Sequence, residues 1–348
     1  MKKLIYLPVC LGMLFFSAAC ENWFDVSPKS DVKAEDLFQQ ESGFRDVLTG
    51  VYSLMSAPES YGRQLSFGYV DVLAQYYNIS GNTHRYIKTK DYLYREPYDK
   101  EVLSTIWSRQ YKGIANLNAM LMFIDEQRGV FSGDEVYRIY KGEILALRGM
   151  LHFDMLRLFG PLTSELDKES IPYQTNSDQT VTPLLSGSEV VGLILDDLKN
   201  AVGLLKDTDP YFVEEEFSDT DLNYRRFRMN YFAAKGLMAR VQLWGGDKEK
   251  AAATAKEVIA EGQAEGAEFF PFVTNSEATS SNPDRVFYSE VLFGTYHSSR
   301  EKLHEDLFAP TLESTSILTL AGTARRDDLY DNENDYRYSV WFTYNKNG

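Results

Sequence analysis

Cysteine is nearly missing from this chain: Cys10 and Cys20 are the two in 348 residues. A disulfide framework is thereby excluded, and so are metal centres held by sets of cysteine thiolates. Histidine is almost as scarce, with four, and the pattern H-E-x-x-H does not occur. G-x-S-x-G and G-x-x-x-x-G-K-[ST] are absent too, so metalloprotease, hydrolase-elbow and P-loop mechanisms lack their residues. Positive charge is short: 36 Lys and Arg face 51 Asp and Glu, for a formal charge of −15. That balance excludes nucleic acid as a partner, because its binding rests on cations neutralising phosphates, and disfavours anionic lipid heads. Long apolar runs are lacking as well. The run from Leu4 to Phe16 has 13 residues, where a membrane-spanning helix needs about 20.

What is there begins at that run. Lys2 and Lys3 precede it, Ser17, Ala18 and Ala19 follow it, and Cys20 comes next, the layout of an export signal ending at a cysteine. The junction resembles the lipobox of bacterial lipoproteins, with Ser17 standing where leucine is usual; an ordinary secretory signal is the alternative. In the lipoprotein reading residues 1–19 are removed and Cys20 carries the lipid. That explains a lone cysteine in an exported chain better than half a disulfide does. Cleavage would delete two lysines and no acid, moving the formal charge from −15 to −17.

Residues 20–33 read as a polar tether. Beyond it, Leu37, Phe44, Val47, Leu48, Val51 and Leu54 share three- and four-residue spacings, which predicts one helix over 34–56. Val102, Ile106, Tyr111, Ile114, Leu117, Leu121 and Ile124 predict a long second helix. The segment "DEVYRIYKGEILALRGMLHFDMLRLFGP" is apolar on most sides, so it predicts a helix sandwiched between others. Ala146 and Gly149 would allow close approach, and Gly160 and Pro161 would end the helix. "SEVVGLILDDLKNAVGLL" predicts a helix with Ser188 as its N-cap. "RMNYFAAKGLMARVQLWGGDKEKAAATAKEVIAEG" predicts a helix, a turn at Gly245-Gly246-Asp247 and a second helix.

A unit of that size has the tetratricopeptide period, with Gly246, Asp247 and Ala252 at turn and packing positions. The fold expected is mainly α: a tetratricopeptide-like helical-repeat stack over 34–262, with two or three such pairs, long loops and a few short strands. Residues 59–100, 162–187 and 207–227 are the long loops, and long ordered loops usually carry function. From 263 to 348 the helical period fades, and "DRVFYSEVLFGTYHSS" and "RYSVWFTYNK" read as strands.

These stretches together resemble the SusD/RagB family of outer-membrane nutrient-uptake lipoproteins. The resemblance is carried by "CENWFDVSP", "ALRGMLHFDMLRLFGPLT", "MARVQLWGGDKEKAAATAKEVI", and "SEVLFGTYHS" followed by "ARRDDLY". It implies a non-catalytic, surface-exposed glycan-binding lipoprotein, lipid-anchored in the outer membrane. Such a protein delivers oligosaccharide to a TonB-dependent (SusC-like) transporter. It also implies that 263–348 is the start of a longer loop- and strand-rich region.

Eight of the 23 tyrosines fall between residues 61 and 98. Within that stretch, "QYYNISGNTHRY" offers rings at Tyr76, Tyr77 and Tyr86 beside Asn78, Asn82 and Arg85. Such rings suit the C–H faces of sugars, and the amides and guanidinium suit their hydroxyls. The same tyrosines would also serve as a packed cap over the helices.

Other candidates carry less. His152, inside a packed helix beside Arg148 and Asp154, reads as a structural hydrogen-bonding partner. His297 and His304 lie in different local contexts and form no ligand pair. Asp331, Glu333 and Asp335 could offer oxygens to calcium but lack the EF-hand glycine and glutamate, so they read as a solvated loop. No cofactor and no metal is expected. A helical-repeat scaffold for a peptide or protein partner, and an enzyme with an unrecognised carboxylate pair, are the competing readings.

Overall fold

The computed structural model describes residues 33–178, 180–211, 220–264, 267–320, 323–330, 332–335 and 337–338. The expected signal segment, Cys20, the tether before residue 33, Asp331 and most of the strand run 337–346 lie outside those residues.

The first predicted helix is two: α1 (Ala34–Leu37) and α2 (Glu41–Ser56). The break folds Phe38 back onto Phe44 and Phe123, with ring centroids 4.7 and 5.3 Å away. It needs Gly43, because a Cβ there would lie 1.8 Å from the Leu37 carbonyl oxygen. After a short α3 (Tyr69–Leu73) come α4 (Pro97–Phe123), which opens with proline where no amide partner is required, and α5 (Asp134–Phe159). Then follow α6 (Gly187–Leu205), α7 (Tyr231–Trp244) and α8 (Lys248–Gly262).

Packing runs in chain order, α2 on α4, α4 on α5, α5 on α6, α6 on α7 and α7 on α8. This is the tetratricopeptide-like stack. The apolar girth of α5 is explained by its place between α4 and α6. Gly142 and Gly149 face α6: a Cβ on Gly142 would sit 2.7 Å from Leu205 Cγ, and one on Gly149 3.3 Å from Leu198 Cγ. At its end, Gly160 lies so near the Leu156 carbonyl that a Cβ would come within 2.5 Å of it.

Three details differ from the sequence reading. The N-cap of α6 is Ser186, not Ser188: Ser186 Oγ accepts from the Glu189 amide while the Glu189 carboxylate accepts from the Ser186 amide. This reciprocal box needs serine three positions before glutamate, a spacing Ser188 does not have. On α8 the buried small residue is Ala251, whereas Ala252 is exposed. Residues 284–299 form no strand; they turn through a one-turn 3-10 helix at Tyr288–Glu290, led by Asp284, whose carboxylate accepts from the amides of Val286 and Tyr288. Alternating aromatics there pack singly into several neighbours and do not line one face of a sheet. The strands described are two residues each, β1 (Gln263–Ala264) and β2 (Ala267–Glu268), in an antiparallel hairpin. Short helices α9 (Asn275–Ala278), α10 (Arg300–Leu307) and α11 (Thr323–Leu329) follow.

The loops are pinned to polar side chains buried along α5. Glu143 is fully buried and accepts from Arg225 Nη1 at 2.6 Å, Arg228 Nε at 3.0 Å and Tyr52 Oη at 3.0 Å. Burial alone would raise its carboxyl, but the two arginines outweigh burial and hold it below the usual carboxylate range. Arg225 also grips buried Asp209 through two bonds of 3.1 and 2.8 Å, which closes the 207–230 loop. One turn and a half further along α5, Arg148 makes a two-toothed pair with Asp197 of α6, at 2.7 and 2.6 Å, and reaches Asn118 of α4. Asn118 in turn donates to the carbonyls of Gln174 and Asn176.

His152, also buried, lies against Arg148's carbonyl through Nδ1 and accepts the Gln174 amide at Nε2, both at 3.0 Å. The amide fixes Nε2 as the acceptor, so Nδ1 carries the proton and the ring is neutral. Its role is the structural one expected. Burial pushes the imidazole down to about 3.

Two outcomes follow from these pins. Glu143→Ala leaves two buried guanidiniums facing no carboxylate on that side and lowers unfolding free energy by about 3–5 kcal/mol. Lys250→Ala, which removes a solvent-exposed pair with Asp247, leaves the urea midpoint essentially where it was, because water and salt screen such a pair; urea titration separates the two. For His152, the unfolded ring takes a proton near pH 6.5 that the folded ring refuses until about 3. Its contribution is therefore complete above pH 6.5 and declines by up to ~1.4 kcal/mol per pH unit as pH falls through that window. A His152 ring resonance titrating near 6.5 in the folded protein would refute this.

Candidate functional site

The tyrosine-rich segment between α2 and α4 is tied down at both ends. Tyr61 Oη donates to Asp154 of α5 at 2.7 Å, Ser60 Oγ accepts from Gln110 of α4 at 2.7 Å, and Thr89 Oγ1 donates to Asp99 at 2.8 Å. Its eight tyrosines then divide. Tyr69 and Tyr86 have no exposed surface, Tyr61, Tyr77 and Tyr98 are half-buried, and Tyr76, Tyr92 and Tyr94 expose 49%, 48% and 46% of theirs.

Tyr86, expected as an exposed ring, is core: its ring packs edge-on to Tyr98 at 5.8 Å and its hydroxyl turns inward to Gln64. Burial keeps its phenol well above the ordinary tyrosine range. Tyr77 turns its ring toward Phe308 at 6.0 Å and its hydroxyl to Asp71. Tyr76, Asn78, Asn82 and Arg85 are exposed, as a surface role requires.

Two rings absent from the sequence proposal join Tyr76. Tyr92 and Tyr94 stand with centroids 6.3 Å apart, and the Tyr92 hydroxyl donates to the Leu73 carbonyl at 3.1 Å, near Tyr76 in the chain. Gln75 Nε2 donates to the Lys90 carbonyl at 2.9 Å, closing the same contact from the other side. Both Gln75 (φ 60) and Tyr92 (φ 58) adopt the left-handed conformation, unfavourable for residues with a Cβ, and these hydrogen bonds hold it. The available signal was the alternation Y-L-Y in "DYLYREP". The C-terminal region borders the platform, where the Asn78 amide donates to the Thr319 carbonyl at 2.7 Å and Arg325 reaches the Gln75 carbonyl.

A second concave feature lies where 284–298 meets α10, a cavity of about 820 Å³. Phe227, Tyr288 and Tyr296 form its aromatic corner, the Phe227 centroid lying 5.7 Å from each of the others. Arg226 lies 4.9 Å over the Tyr288 ring, and Arg300 comes from the start of α10. His297 and His304, assigned to separate contexts in the sequence, both line this cavity. Helix α10 joins the two features, since residues of its first turns face the cavity while Phe308, just beyond it, packs under Tyr77 and Phe67. Among the described residues no group of His, Cys, Asp and Glu is arranged to hold a metal, and no helix is long and apolar enough to cross a membrane. Asp335, one of the acidic loop residues, pairs with Arg337 at 2.6 Å.

Comparison with known proteins bears on this architecture. Residues 22–243 match the SusD-like family described as starch-binding, associating with the outer membrane. No curated protein sequence matches. Among solved structures, a SusD superfamily protein from Bacteroides thetaiotaomicron superposes with a TM-score of 0.64 at 20% identity, over 90% of this chain and 66% of that one. A SusD-like carbohydrate binding protein from Bacteroides vulgatus gives 0.62 at 18% identity, over 86% and 60%. A laminarin binding SusD-like protein gives 0.51 at 21%, over 71% and 50%. The chain thus spans between half and two thirds of the length of these three structures. At these identities the structures establish the fold. The family match covers well over half of the sequence, from the segment after Cys20 to the end of α7, and the chain belongs to the SusD-like family.

Proposed function

We propose that this chain is a non-catalytic oligosaccharide-binding lipoprotein of the bacterial outer membrane. In this reading Cys20 carries the lipid anchor, the protein faces outward, and it hands its ligand to a TonB-dependent transporter of the SusC kind. One observation carries the binding role. Tyr76, Tyr92 and Tyr94 hold their rings about half exposed on a segment whose other tyrosines are committed to packing or half-buried.

Exposed tyrosines cost apolar surface in water, and a sugar's C–H face laid on each ring recovers it. Asn78, Asn82 and Arg85, exposed on the same segment, supply donors and acceptors for hydroxyls. The family's outer-membrane association and the sugar-binding descriptions of its relatives support the reading. Tethering lets a modest affinity suffice, because a lipid-anchored binder beside its pore works at high effective concentration.

Replacing Tyr76, Tyr92 and Tyr94 together by alanine should weaken oligosaccharide binding at least about tenfold, equivalent to ~1.4 kcal/mol, with an unchanged helical circular-dichroism spectrum. Unaltered glycan-array binding by this variant would rule the platform out. Tyr86→Ala should act on stability instead, at about 3–5 kcal/mol as for other large aromatic cores. No product should form from any bound oligosaccharide. Cys20→Ala should move the protein from membranes to the soluble fraction; a variant that stays membrane-bound and still takes up labelled lipid would defeat the anchor assignment.

A further inference from the structure

The cavity between 284–298 and α10 shares no lining residue with the tyrosine platform, and its walls divide into an aromatic corner and a polar rim. In the corner, Tyr288 lies 32° from the plane of Phe227 while Tyr296 stands at 86° to it. The rings thus present two faces at a steep angle to each other. Arg226 lies over Tyr288 at 4.9 Å and gives Nη2 to the Phe269 carbonyl at 2.8 Å, so its part is to hold that ring in place. Tyr296 leaves 66% of its surface open to water and Tyr288 38%.

The rim carries groups of every hydrogen-bonding kind. Thr295, Ser298 and the hydroxyls of Tyr288 and Tyr296 both donate and accept, Arg300 only donates and Glu301 only accepts. Formal charge around the cavity cancels, with Arg226 and Arg300 set against Asp284 and Glu301. An anionic ligand would meet two carboxylates along with its two arginines, and a purely apolar one would strip water from the rim without replacing its bonds. A neutral pyranose suits both parts. Its hydroxyls donate and accept around the edge, as the rim does, and its C–H face is apolar, as the rings are. The volume, about 820 Å³, lies within the range of pockets that hold small ligands.

We propose that this cavity is a second sugar site, separate from the tyrosine platform, that takes a neutral stretch of oligosaccharide. It rests on the oligosaccharide-binding reading above and adds a site to it. The ring of Tyr296 lies against the sugar's C–H face, and the rim meets its hydroxyls.

Equilibrium dialysis of the full chain against labelled maltotriose and labelled laminaritriose, two neutral glucose trisaccharides of different linkage, counts the sites. At least one of the two sugars should reach two equivalents per chain. Tyr296→Ala, at an exposed position, should remove one equivalent and keep the helical spectrum, and Tyr296→Phe, which retains the ring, should keep both. The platform variant Tyr76→Ala, Tyr92→Ala, Tyr94→Ala should remove the other equivalent and leave the cavity's. Added salt should leave the cavity equivalent unchanged, since no net charge is engaged there. A single equivalent that survives Tyr296→Ala overturns the cavity site and leaves the platform reading standing. A single equivalent that Tyr296→Ala removes and the platform variant keeps supports the cavity and defeats the platform reading. Loss in Tyr296→Phe overturns the stacking role of the ring, and a cavity equivalent eroded by salt overturns the neutral ligand class. Uptake of neither sugar overturns the site and the platform together.

Discussion

A carboxylate in the middle of helix α5, with none of its surface in water, organises this protein. Glu143 is tolerable there because Arg225, Arg228 and Tyr52 converge on it, and because Arg225 carries a second partner, Asp209, so that two positive and two negative groups meet. Removing charges from water costs several kcal/mol per ion, offset only by good geometry and full hydrogen bonding. The arrangement therefore acts as an all-or-none lock. Helix α2, helix α5, the 207–211 turn and the approach to α7 must all be seated for any one of these groups to be satisfied.

The same logic recurs along α5. Arg148, His152 and Asp154 each leave the helix to hold a segment that has little regular structure of its own: 171–176 through Asn118 and the Gln174 amide, and the tyrosine segment through Tyr61. Loops of such length cannot be stabilised by their own contacts alone. A helix buried on all sides would ordinarily be apolar throughout. This one carries polar residues in its interior because they are sockets for the loops.

Periodicity made the helices legible, since three- and four-residue spacings report burial on one face directly. It failed where a single close contact decides, as at the Phe38 break, which hinges on Gly43 fitting under a carbonyl. Ser186 and Glu189 stand at capping-box spacing, a signal that outweighs the closeness of Ser188 to the apolar run. The run 284–299 misled because aromatic and β-branched composition does not by itself report strand pairing: none of its residues is fully buried, and Asp284 capping the turn carries no periodic signature. In the platform, composition located the segment but could not sort its rings. Tyr77 and Tyr86 differ from Tyr76 only in which way the backbone turns, and that depends on distant partners, Phe308, Tyr98 and Gln64. The cavity was invisible for the same reason, its walls coming from 226–227, 284–298 and α10.

The pins on α5 have an evolutionary consequence. Each long connection is fastened by a few side chains near defined points, and between them the chain makes few demands on the helices. Lengthening an unfastened stretch adds closure entropy that grows only logarithmically, about 0.6 kcal/mol for each doubling. Sequence drift and insertion between fastenings are thus nearly free, while drift at Tyr61, Asn118, His152 or Arg225 is not. A scaffold of this kind can exchange the loop surface it presents to solvent repeatedly, at constant folding stability, while its interior stays fixed.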